Sequence, residues 1–186
     1  VELFPESGNT HDSYGEVLLK QGHKDLALAE YRRSLELDPG FTAALKTLAL
    51  AHAAAGKGDE AIDLLHRALR ANPRDRDAVL QLSNLHIEQQ KFAEALEALE
   101  AHLKTTDDDV QALNNQGLAL RGLKRFEEAR RSLKRASRLA SDDPFVLTNL
   151  GRVLVDLGRA AEARTLHEHA LRGLPGDSRL LTHYGA

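Results

Sequence analysis

The sequence predicts an all-α solenoid built from helix-turn-helix hairpins, and three observations carry that expectation. Residue types recur every 34 positions along the chain. Within each period the apolar residues fall at helical spacing. The core has to be assembled from Leu and Ala, because Trp, Met and Cys are absent and aromatics make up only 4% of the 186 residues; both favour helices.

The period is read from several columns in one register. Ala27, Ala61, Ala95, Ala129 and Ala163 are 34 residues apart and identical. A second column is always small: Gly15, Ala49, Ser83, Gly117, Gly151 and Gly185. A third, Ser34, Ala68, His102, Ala136 and Ala170, is small with one exception, and a fourth, Leu45, Val79, Leu113, Leu147 and Leu181, is bulky and apolar. Pro5, Pro39, Pro73 and Pro175 share a fifth register, with the turn formers Asp107 and Ser141 at the two steps that lack proline. Antiparallel helices approach closely where side chains are small. The small columns are therefore expected to face one another, with Leu in the flanking holes.

Taken in chain order, first helices are expected near 9–21, 43–55, 77–89, 111–122 and 145–157. Second helices are expected near 25–37, 59–71, 93–104, 127–139 and 161–173. Gly22, Gly56 and Gly158 lie between paired helices, where a left-handed cap residue is wanted. Asp38-Pro39 and Asn72-Pro73 close second helices. One array of five repeats follows, about 8–41, 42–75, 76–109, 110–143 and 144–177, with partial repeats at 1–7 and 178–186. The partial ends suggest a window from a longer array or a segment abutting another domain. They place Leu3-Phe4 and Leu180-Leu181-Tyr184 as apolar edges through which copies could stack into a homo-oligomer.

These columns resemble the tetratricopeptide repeat family. One repeat reads Leu45, Leu48-Ala49, His52, Ala61, Leu65, Ala68 and Pro73; another reads Leu147, Leu150-Gly151, Leu154, Ala163, His167, Ala170 and Pro175. Tyr31 supplies the family's aromatic in the first repeat; the family Trp is missing throughout, and the third repeat departs most, at His102 and Asp107. The likeness spans about residues 8–186 and implies a right-handed superhelix whose first helices line a concave groove for a peptide or partner protein. The stretch from Phe4 to Glu16 also resembles repeats appended to bacterial serine-hydrolase domains. An accessory role in a larger enzyme, a serine hydrolase or a group transferase, is therefore a further alternative.

By repeat register, the groove columns in the middle and end of the chain are polar. The candidate peptide-binding residues are Gln81, Asn84, Asn114, Asn115, Arg121, Asn149, Arg152 and Arg179. Amides carry both donor and acceptor and can pair with a bound peptide's backbone. The column Thr47, Gln81, Asn115, Asn149, His183 resembles the asparagine ladder of some family members, including the repeats of O-linked N-acetylglucosamine transferase. Arginine forks suit carboxylates, so Arg121, Arg152 and Arg179 could converge on an acidic or C-terminal group. The plainer reading is a solvated face with local pairs such as Arg152 with Asp156. Lys46 is followed one turn on by Leu50, which does not support the family's carboxylate clamp.

Other classes find little support. A net charge of −3 gives no global basic field for nucleic acid. The basic run Arg130, Arg131, Lys134, Arg135 and Arg138 lacks interleaved aromatics for base stacking and is offset by Glu127 and Glu128. No apolar run reaches the roughly 20 residues that span a bilayer, and the expected compartment is the cytoplasm. No cofactor is expected. No Gly-x-Ser-x-Gly elbow or phosphate loop appears, so the chain is not expected to be an enzyme. His167 and His169 are two apart on a helix and cannot chelate together, so no metal site is expected.

Overall fold

The computed structural model describes residues 7–173, and among them there are ten α-helices and no strand. The first helices of the hairpins are α1 (Gly8–Lys20), α3 (Thr42–Ala54), α5 (Arg76–Glu88), α7 (Val110–Gly122) and α9 (Pro144–Asp156). The second helices are α2 (Lys24–Leu37), α4 (Gly58–Ala71), α6 (Phe92–Leu103), α8 (Phe126–Leu139) and α10 (Ala160–Gly173). Every first-helix and second-helix boundary falls within one residue of the expected one. The chain divides into two compact units, up to Leu85 and from His86 onward, so that α5 runs through the junction. Leu3, Phe4, Arg179, Leu180, Leu181 and Tyr184 lie outside the described residues.

The columns lie within the core, where further Leu, Val, Ala and Tyr residues join them. In the first unit Leu18, Ala27, Tyr31, Ala44 and Leu48 pack together, joined by the partly buried Leu28, Phe41 and Leu64. In the second unit the cluster is Ala95, Leu96, Ala119, Leu120, Ala129, Leu133, Leu150, Val153, Leu154 and Ala163. Ala49, Ala61, Ala68, Ala136 and Ser83 are likewise buried, as are Gly15, Gly117 and Gly151; Ala170 lies on α10, but its side chain is not among those described.

One expectation needs refinement. The small first-helix column meets large side chains as well as small ones. A Cβ on Gly15 would sit 3.3 Å from the Ala27 carbonyl oxygen but also 3.0 Å from the Tyr31 ring. One on Gly117 would lie 2.4 Å from Leu133 Cγ. The hairpin closes by seating a bulky second-helix residue in a notch on the first helix.

The ends of the helices follow the period too. Ser7, Asp109 and Asp143 precede α1, α7 and α9, and each accepts hydrogen bonds from backbone N–H groups of the first turn. Asp75 does the same for Ala78 N at 3.0 Å. The residue before α8 or α10 is Arg125 or Arg159, which opposes the positive end of the helix dipole. Each donates two hydrogen bonds to the Glu three residues on, at 2.7–2.8 Å. These bonds, with the cationic charge, hold Glu128 and Glu162 below the usual carboxylate range. His102, the misfit in its column, is buried with Nε2 3.0 Å from Asp109 Oδ2. Between paired helices Gly22, Gly56 and Gly158 have φ of 84°, 75° and 74°, and the equivalent Gln90 and Lys124 adopt 59° and 60°.

Candidate functional site

The candidate residues separate between the two units. Gln81 and Asn84 lie on α5 in the first unit, half-buried and exposed respectively. Nearby, Lys46 on α3 reaches Asp75 at 2.9 Å and comes within 3.7 Å of Asp77, so its charge is committed internally. The other described candidates, Asn114, Asn115, Arg121, Asn149 and Arg152, belong to α7 and α9 of the second unit. Arg179 lies outside the described residues.

On α9, Phe145, Asn149, Arg152 and Asp156 are spaced by four, three and four residues, which puts them on one face of the helix. Phe145 is 62% exposed, unusually open for a large aromatic. Asn149 is buried and donates Nδ2 to Asn114 Oδ1 at 2.9 Å. Among the described residues, one Nδ2 hydrogen and the Oδ1 of Asn149 have no other partner. Asn115, the next residue on α7, is buried as well. The amide pairing therefore runs diagonally, residue to residue plus 35, where the column 115, 149 would suggest 34.

The arginines are arranged differently from the expected local pairing of Arg152 with Asp156. Arg121 donates through both Nε and Nη2 to Asp156, again an offset of 35. The reason is geometric: a carboxylate at this level of α9 faces α7, and a bidentate fork across the two helices outcompetes a single bond along one. Arg152, half-buried, makes no hydrogen bond or ion pair among the described residues. Among the described residues the face thus carries an open aromatic, a fixed amide pair and a cation without a carboxylate, in that order along α9.

No group of three or more potential ligands that could hold a metal is found among the described residues, and no helix there is long and apolar enough to cross a membrane.

Comparison with known proteins agrees with this architecture. Three tetratricopeptide repeat family models match residues 14–76, 52–116 and 108–176. No curated protein matches the chain. Among solved structures, YrrB, described as a TPR protein with an unusual peptide-binding site, is 20% identical with a TM-score of 0.75 over 93% of this chain and 89% of its own. MamA of Desulfovibrio magneticus RS-1 is 18% identical, TM-score 0.76, over 96% and 97%. A thermophilic TPR protein of Thermus thermophilus is 23% identical, TM-score 0.74, over 95% and 96%. At such identities the likeness speaks for the fold alone, while the family models span nearly all of the described helices. The chain belongs to the tetratricopeptide repeat family.

Proposed function

We propose that this protein is a non-catalytic interaction scaffold whose α7–α9 face binds an extended peptide segment of a partner protein. Repeat arrays offer extended surfaces built from equivalent helices, and such surfaces are what they use to bind. The observation that carries the reading is the Asn149–Asn114 amide pair, fixed between exposed Phe145 and Arg152, which has no partner among the described residues. The amides address the peptide backbone, Phe145 covers an apolar side chain, and Arg152 takes a carboxylate.

The geometry sets a ligand pattern. Phe145 and Arg152 are about 10 Å apart along the helix axis at 1.5 Å per residue. An extended peptide covers that distance in about three residues. The favoured ligand therefore has an apolar side chain about three positions from an Asp, a Glu or a C-terminal carboxylate. Selection from a peptide library with free C-termini should enrich this pattern. By fluorescence anisotropy, Arg152→Gln should weaken the selected peptides about tenfold or more and Asn149→Ala about fivefold. Selected peptides that bind both variants as tightly as the wild type would defeat the proposal.

A further inference from the structure

A second feature of the same unit lies away from the amide pair and does not depend on it. Between α8 and α10, over α9, there is an open cleft of about 420 Å³, a size in the range of ligand pockets. Leu150, Leu154 and Leu166 form its apolar floor. Its rim on α8 is Arg130, Lys134 and Arg138, four residues apart and hence stacked along one edge over about 12 Å. Arg159 and Glu162 stand opposite and are bonded to each other. Arg130 is bonded to Glu127 at 2.9 Å. Lys134 and Arg138 form no ion pair among the described residues, although Lys134 acts on Glu162 through space.

Two equivalent positions elsewhere in the chain lack this combination. Three periods upstream, in the first unit, a cleft of about 370 Å³ keeps Leu48 and Leu64 where this one has Leu150 and Leu166. There Glu36 stands at the place of Arg138 and is paired with Arg33 at 2.6 Å, so the rim is of mixed charge. One period upstream, the two floor positions are Gln116 and Ser132, which hydrogen-bond to each other at 2.8 Å. Only the α8–α10 position joins an apolar floor to a row of cations among these three.

We propose that the α8–α10 cleft docks an acidic amphipathic helix of a partner protein. One or two apolar side chains of that helix would enter over Leu150 and Leu166, and carboxylates one turn apart would meet Lys134 and Arg138. A groove between two helices is a common seat for the apolar stripe of a third, and the row of cations fixes the sign of the partner.

The test uses a fluorescein-labelled, alanine-based helical peptide of about 15 residues, long enough to hold some helix alone. It carries two Leu residues four apart, flanked by Glu at successive turns. Saturable binding to the full chain is expected, weakening with added salt. The double variant Lys134→Gln with Arg138→Gln, both exchanges at the cleft rim, should weaken it about tenfold, with an unchanged circular dichroism spectrum. Asn149→Ala should leave it as it is. Replacing the peptide's Leu by Ser, or its Glu by Lys, should abolish binding. The proposal is overturned by no saturable binding, by equal affinity of the double variant or the lysine peptide, or by loss of binding in Asn149→Ala. Capture of anionic phospholipid vesicles without the peptide would also overturn it, by making the cleft a membrane contact.

Discussion

At the residue scale, side-chain size and backbone conformation can be tested separately. Gly117 has no room for a methyl group, since Leu133 already fills the notch. Gly117→Ala should destabilise the protein by about 1–3 kcal/mol through overpacking, measured by urea denaturation. Gln90 and Lys124 sit in the left-handed region that Gly22, Gly56 and Gly158 occupy in the other repeats. Gln90→Gly and Lys124→Gly should each raise stability by up to about 1 kcal/mol, visible as a higher Tm. Burial, with Glu16 nearby as a second cause, pushes the Asp12 carboxyl up from its ordinary value of 3.8. A raised carboxyl binds its proton more tightly in the folded state, so it increasingly opposes folding as pH climbs above 3.8 and does so fully once pH exceeds the raised value. Asp12→Asn should therefore increase Tm at pH 7, and the gain should shrink as pH falls towards 4. The size columns were legible in the sequence because packing permits few alternatives there. The left-handed positions at Gln90 and Lys124 were not, because a polar residue can hold positive φ at modest cost and so leaves no mark.

At the scale of the element, the aspartates that start α7 and α9 provide a matched pair. Asp143 caps α9 through two backbone N–H groups, and its carboxylate has no further partner among the described residues. Asp109 caps α7 in the same way and also holds buried His102. Asp143→Ala should cost about 1 kcal/mol, the usual worth of a cap. Asp109→Ala should cost about 2–4 kcal/mol, because it also leaves a buried imidazole unpaired. Equal losses in the two variants would mean that the His102 bond contributes nothing. The period alone located these helices to within one residue, but not how neighbouring first helices meet. Asn114–Asn149 and Arg121–Asp156 both pair at an offset of 35. A column of identical register does not encode that one-residue slip.

At the scale of the whole molecule, hairpins within each unit pack on their sequence neighbours, α2 on α3 in the first and α6 on α7 and α8 on α9 in the second, and stability should be distributed accordingly. In Gly117→Ala, hydrogen exchange should accelerate in α7 and α8 more than in α1 and α2. Under the two proposals function would be distributed in the same way: the repeat supplies the scaffold, and specificity would depend on residues that break the period, such as Phe145, Arg152 and the cations of α8. The sequence could nominate Asn149 and Arg152 but not the amide bond that fixes one or the partnership of Arg121 that leaves the other uncommitted. The most direct test of the central claim is a backbone-amide NMR titration of the full chain with a peptide selected as above. The account predicts that shifts concentrate at Asn114, Phe145, Asn149 and Arg152. Shifts confined to α1–α4, or to Lys134, Arg138 and Leu166, with α9 unperturbed at Asn149, would contradict it.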